Sequence, residues 1–160
     1  MATLAPSGPA PLFVLNSMSS SPLQSEARTE PIVVLVADDV PEIRELVRQW
    51  LTDAGCVVIT VGTGRDALRV LRADPIDAVV TDVLMPDGDG LEVMAAMKRM
   101  KSAAGILAVS GGGDLLRADD CLKIARGLGA HEVLMKPFVR ADFMAAFDRV
   151  LRRRRPSTVP

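Results

Sequence analysis

The sequence predicts an α/β fold of five successive βα units, a parallel five-stranded sheet covered by helices on both faces. Two observations carry that prediction. Short, almost uninterrupted runs of β-branched apolar residues alternate with stretches whose apolar residues recur at helical spacing. The apolar runs also lack the in-out alternation of a half-exposed sheet, as expected of strands buried on both faces.

The first run is Ile-Val-Val-Leu-Val-Ala at 32–37, ending in Asp38 and Asp39. Pro41 then stands at a first helical position, and Ile43, Leu46, Val47, Trp50 and Leu51 repeat at helical spacing until Gly55 closes the helix. A second strand covers 57–61. A helix over 66–73 carries Ala67, Leu68, Val70 and Leu71. The third strand, 76–81, ends at Asp82. Leu91, Val93, Met94 and Met97 form the apolar set of a helix over 90–100. A fourth strand, 106–109, ends at Ser110, and a helix over 115–128 is stopped by Gly129. The fifth strand, 132–135, ends at Lys136-Pro137, and a last helix runs over 141–153.

Residues 1–30 are of different material. Pro6, Pro9, Pro11 and Pro22 and a serine-rich stretch leave little apolar period, so a disordered leader is expected there. The domain proper is then 31–153, with 154–160 a short basic, proline-containing tail that frays. A 160-residue chain with 49% hydrophobic residues has room for one ordinary core. The formal net charge of −1 argues against general nucleic-acid binding. No apolar run is long enough to span a membrane, and Cys56 and Cys121 lack metal-site or redox spacing. They read as reduced core thiols of a cytoplasmic protein.

Position is what points to chemistry. Asp38, Asp39, Asp82, Ser110 and Lys136 all fall at the carboxyl ends of predicted strands, the first, third, fourth and fifth. In an open parallel sheet those ends share one edge, and ligands bind in the crevice outside it. Three carboxylates, a hydroxyl and an ammonium should therefore converge. Two carboxylates at about 4 Å repel by about 4 kcal/mol at an effective dielectric near 20, so at least one pKa should rise. A hard divalent cation relieves the repulsion, and Mg²⁺ prefers one or two carboxylates with waters and phosphate oxygens. A carboxylate beside it is a nucleophile toward phosphorus, with lysine and hydroxyl as donors to the phosphoryl oxygens.

Each residue has a plainer reading on its own. Asp38 and Asp39 are also capping residues, Asp82 a loop aspartate, Ser110 a loop serine and Lys136 a solvated lysine. Asp87 and Asp89 read as turn formers. His131 is the only histidine, which removes Ser-His-Asp catalysis, and no nucleotide-binding glycine motif occurs. Arg152 to Arg155 read as a solvated helix end with favourable dipole.

Taken together, the strings Val36-Ala-Asp-Asp39, Thr81-Asp-Val-Leu-Met-Pro-Asp-Gly88, Ala108-Val-Ser110 and Lys136-Pro-Phe138 resemble the receiver domains of response regulators, over roughly 31–153. The resemblance implies a doubly wound (βα)₅ fold of flavodoxin-like topology with strand order 2-1-3-4-5. It implies Asp82 as phosphoacceptor, and Mg²⁺ held by Asp39, Asp82 and the Leu84 backbone carbonyl, with Asp38 acting through water. Ser110 and Lys136 would contact the phosphoryl group, and the Lys136–Pro137 bond would be cis. The donor would be a histidine kinase or histidine phosphotransfer protein, and the product a switch acting on a downstream protein target. The chemistry is self-catalysed, so a regulator rather than an enzyme is expected, of the stand-alone single-domain type and present as a monomer or weak homodimer.

Two departures stand out. The fifth-strand position that is usually aromatic in the family is Val133. Three glycines, Gly111 to Gly113, make the adjoining loop permissive, so switching by loop ordering is expected, with slower amide exchange over 110–120 when a phosphoryl mimic binds. A phosphorylation-independent interaction module on the same fold is the rival reading. A phosphatase of the haloacid dehalogenase type would need an aspartate where Leu84 stands.

Overall fold

The computed structural model describes residues 30–85, 90–111 and 118–154. Five strands, β1 (Val33–Ala37), β2 (Val57–Val61), β3 (Ala78–Asp82), β4 (Gly105–Ser110) and β5 (Glu132–Met135), alternate with five helices. The helices are α1 (Pro41–Asp53), α2 (Gly64–Ala73), α3 (Gly90–Arg99), α4 (Ala118–Gly127) and α5 (Arg140–Arg153). All strand pairings are parallel, in the order β2-β1-β3-β4-β5. The doubly wound (βα)₅ sheet expected from the sequence is therefore the observed fold.

Strand side chains point alternately to opposite faces, and each face has its own core. Leu35, Ala37, Val79, Ile106 and Ala108 pack with Ala67 of α2, Met94 and Met97 of α3, and Cys121 and Ala125 of α4. Val34, Val36, Val80, Leu107 and Val109 pack with Val47 and Leu51 of α1 and with Phe143, Phe147 and Val150 of α5. This is why the strands read as continuous apolar runs. Strand order reverses at β1, which opens the crevice beside the ends of β1 and β3.

Several boundaries differ from the sequence expectation. α2 starts at Gly64, two residues before the expected start, because Thr63 caps it: its Oγ1 accepts from the Asp66 N–H at 3.1 Å and donates to Asp66 Oδ2 at 2.9 Å. β3 starts at Ala78, because Asp77 is used otherwise: its Oδ2 accepts from the Val33 N–H at 2.9 Å. Leu46, counted in the apolar set of α1, is 42% exposed, leaving Val47 and Leu51 to bury that helix. Asp38 and Asp39 do not cap α1, whose N-cap is Val40 with Pro41 behind it. Gly55 and Gly129, with φ of 83° and 101°, end their helices in the left-handed conformation.

His131 has a structural place. Its Nδ1 accepts from the Ile106 N–H at 3.0 Å and its own N–H donates to the Ile106 carbonyl at 2.9 Å, tying β5 to β4. Burial, then the neighbouring Arg153 charge, lowers its pKa. The arginines of α5 are not simply solvated: Arg149 and Arg153 meet Glu132 at 3.3 and 2.8 Å, and Arg154 meets Asp77 at 2.8 Å. The leader at 1–29, the turn aspartates Asp87 and Asp89, residues 112–117 of the glycine-rich loop and of the expected start of α4, and residues 155–160 of the tail lie outside the described residues. Among the described residues, no helix is long and apolar enough to cross a membrane.

Candidate functional site

The five residues singled out at strand ends do share one edge. Asp38 and Asp39 follow β1, Asp82 ends β3, Ser110 ends β4 and Lys136 follows β5. Carboxylate oxygens of Asp38, Asp39 and Asp82 all lie within 4.8 Å of one another. Asp38 and Asp82 are buried, at 4% and 7% exposure, and Ser110 is fully buried.

Lys136 reaches into this cluster from the β5–α5 connection. Its Nζ lies 2.6 Å from Asp38 Oδ2 and 2.7 Å from Asp82 Oδ2. The second oxygens are held by the chain itself: Asp38 Oδ1 accepts from the Val40 N–H at 2.9 Å, and Asp82 Oδ1 from the Leu84 N–H at 3.1 Å. The Lys136 N–H donates to the Ser110 carbonyl at 2.8 Å, setting the lysine beside the end of β4. The Lys136–Pro137 peptide is cis, as expected. Phe138 then anchors the segment in the second core, its ring 6.2 Å from Trp50 and 5.7 Å from Phe143. Trp50, though on α1, is thus packed on the segment that carries Lys136.

Burial raises the Asp82 pKa above its ordinary 3.8; the Lys136 contacts and the Leu84 N–H oppose this, and Asp38 adds to it. Burial would lower the Lys136 pKa, but its bonds to Asp38 and Asp82 outweigh that and hold it above 10.5. The two directions favour opposite charge states of one pair: burial dominates for Asp82, and the two carboxylate bonds dominate for Lys136. One ammonium is shared by a surplus of acids, so it is stabilised as a cation while Asp82 remains short of positive charge. An upward pKa shift does fall on Asp82, but burial is its chief cause, and the carboxylate repulsion expected from the sequence, through Asp38, is the least of its causes.

The donor set fits Mg²⁺: three convergent carboxylates with the Lys136 ammonium already standing between two of them as a cation. Lysine supplies one charge, so the acid excess persists for a second cation to offset.

Three contributors were not legible from periodicity. Arg44, on the first turns of α1, donates from Nη1 to the Asp38 carbonyl at 2.6 Å. The Thr81 hydroxyl, fully buried, donates to the Asp82 carbonyl at 3.0 Å. Gly90 packs so closely on that same carbonyl that a Cβ would overlap it. Helical and strand spacing could not reveal them, because each acts on a main-chain oxygen. Val133, in place of the family's aromatic, is half-buried and packs on the α2–α4 core.

An open parallel (βα)₅ sheet in the order β2-β1-β3-β4-β5, with an acid-lined crevice and an inserted lysine, is the architecture of a receiver-type signalling domain. The family model "Response regulator receiver domain" matches residues 34–148, and the chain belongs to that family. It is 36% identical over 128 residues to the response regulator MprA of Mycolicibacterium vanbaalenii, covering 79% of this chain and 53% of that protein. It is 34% identical over 122 residues to the transcriptional regulatory protein KdpE of Mycobacterium tuberculosis, covering 76% and 51%. The chain thus spans about half the length of these curated relatives. Among solved structures, the chemotaxis protein CheY4 of Vibrio cholerae superposes with a TM-score of 0.66 at 30% identity, covering 76% of this chain and 100% of that one. A response regulator receiver domain protein from Clostridium thermocellum gives 0.67 at 28%, covering 76% and 95%. Receiver domains bind Mg²⁺ at an acidic pocket, and this chain carries a cluster of three aspartates at the carboxyl edge of its sheet.

Proposed function

We propose that this receiver domain is a switch in which Asp82 accepts a phosphoryl group from the phosphohistidine of a histidine kinase or histidine phosphotransfer protein. The observation that carries the reading is Lys136 Nζ seated 2.6 and 2.7 Å from two buried carboxylates at the sheet's switch point. An Asp82 carboxylate oxygen attacks phosphorus, the new O–P bond forms, and the P–N bond breaks with its electron pair returning to the imidazole. Asp39, Asp82 and the Leu84 backbone carbonyl would hold Mg²⁺ directly and Asp38 through water; the ion, when bound, neutralises charge on the phosphoryl oxygens. Lys136 then trades its Asp82 contact for a phosphoryl oxygen, and the Ser110 hydroxyl donates to another. The chain does this chemistry on itself, without turnover of an external substrate, and its output is a change in what protein it binds. In this reading it works in the cytoplasm, where both thiols stay reduced.

The test is intact mass after incubation with acetyl phosphate, with and without Mg²⁺. One phosphoryl group should appear only with Mg²⁺ and not in Asp82→Asn; equal labelling of that variant would refute the assignment. Val133 favours a second reading, a module that binds partners irrespective of phosphate. That reading wins if Asp82→Asn keeps full regulation of its partner in cells.

A further inference from the structure

Arg44 is half-buried near the start of α1, and two features fix where its guanidinium sits. Its Nη1 donates to the Asp38 carbonyl at 2.6 Å. On the other side is Gly62, just past β2, where an added Cβ would stand 3.1 Å from Nη1 and 3.6 Å from Cζ. The φ of Gly62 lies outside the left-handed region, so its backbone does not require glycine; a Cβ there would instead press on the guanidinium, which would have to shift by a few tenths of an ångström. The Asp38 N–H also donates to the Val61 carbonyl at 3.2 Å. The segment bearing Asp38 and Asp39 is therefore tied to the end of β2 through the Asp38 N–H and to α1 through the Asp38 carbonyl.

Charge and geometry make opposite predictions here. A guanidinium bonded to the main chain of Asp38 adds positive charge beside the acid cluster, so by Coulomb's law alone Arg44 opposes a divalent cation. A side chain that fixes the backbone beneath two ligands instead strengthens binding, as outer partners of metal ligands do. We propose that Arg44 is a positioning residue, seated by the missing side chain of Gly62, that holds the Asp38–Asp39 segment so that its carboxylates converge on the cation. This outweighs its own repulsion of the ion. The inference rests on the Mg²⁺ reading above and adds two residues to it.

The full chain is titrated with Mn²⁺, free ion being counted by its paramagnetic resonance signal. Gly62→Ala keeps every charge but displaces the guanidinium; Arg44→Gln removes the charge as well. Each should weaken Mn²⁺ binding on the order of tenfold, and the double variant should be no weaker than Arg44→Gln, because both act through one contact. Arg44→Lys, which keeps a donor, should recover part of the loss. In metal-free protein the Val40 amide resonance should shift in Gly62→Ala and Arg44→Gln alike. Binding in Arg44→Gln as tight as or tighter than wild type, with Gly62→Ala unchanged, overturns the proposal while leaving the metal site standing. Wild-type protein that takes up no Mn²⁺ overturns the metal reading and this inference with it. If Arg44→Gln fails to fold, Gly62→Ala and Arg44→Lys decide.

Discussion

Lys136 neutralises only part of the charge it is surrounded by, and the stability of the metal-free protein should register that shortfall. Removing the ammonium leaves two buried carboxylates facing each other, so Lys136→Met should cost about 3 kcal/mol in urea unfolding without Mg²⁺, the usual scale for breaking a buried pair. The same variant should gain more melting temperature from Mg²⁺ than wild type does. Asp82→Asn should act in the opposite sense. The folded-state pKa of Asp82 is raised, so the folded protein holds that proton more tightly than the unfolded chain and ionised Asp82 costs stability at neutral pH. That cost is relieved as pH falls through the folded pKa and is gone below 3.8, where both states are protonated. Asp82→Asn should thus be the more stable protein at pH 7 without Mg²⁺, with the difference vanishing below pH 3.8; a less stable variant at pH 7 would contradict the burial argument. Leu84, two residues on, is apolar and packed on the α2–α4 core, so it offers no polar group to orient a water on phosphorylated Asp82. The phosphoryl group should be lost slowly, and a lifetime of seconds by mass spectrometry would argue against this.

Elements set these residues through main-chain contacts as much as through side chains. α3 begins against the Asp82 carbonyl, with Gly90 in contact and its N–H donating to the Val83 carbonyl at 3.1 Å. Helix propensity alone favours Gly90→Ala by about 1 kcal/mol. The overlap with the carbonyl must instead push α3 from the end of β3, at about 1–3 kcal/mol. Gly90→Ala should therefore lower the urea midpoint, and a rise would mean that α3 yields freely. The acids and Lys136 were legible in the sequence because strand ends converge in any parallel sheet, whatever the detail of packing. Arg44, Gly62 and Gly90 were not, since an arginine on a helix reads as solvated and a glycine before a helix as a turn. The place of Trp50 was hidden for a related reason: its ring contact is with Phe138, 88 positions away in the chain. Because Phe138 follows Lys136 by two residues, Trp50 emission should change when Lys136 leaves Asp82 for a phosphoryl oxygen on treatment with acetyl phosphate and Mg²⁺. The change should be absent in Lys136→Met.

At the scale of the whole molecule, the two edges of the sheet divide the work. The carboxyl edge gathers acids that repel one another; the opposite edge carries the ties that hold the layers together. Asp77 is the knot there. Its N–H donates to the Val33 carbonyl and its carbonyl accepts from Gly105, each at 2.9 Å, which binds β1 and β4 to the start of β3. Its carboxylate takes the Val33 N–H and, at 2.8 Å, Arg154 just past α5. Asp77 and Arg154 are both largely buried, with side-chain exposures of 7% and 17%, so solvent screens the pair little. Sequence could not show this, because a run of arginines before a proline looks like a frayed end and its partner stands 77 positions earlier. Arg154→Ala removes the guanidinium bonded to the buried Asp77 carboxylate, so it should cost about 3 kcal/mol of unfolding free energy. Asp77→Asn keeps the Val33 contact sterically but gives up the charge, and should cost less. Neither variant touches the acid cluster, so Mg²⁺ affinity and phosphorylation at saturating acetyl phosphate should match wild type at temperatures where both are folded. A fall in Mg²⁺ affinity in Arg154→Ala, measured well below its melting temperature, would show that the edges are coupled.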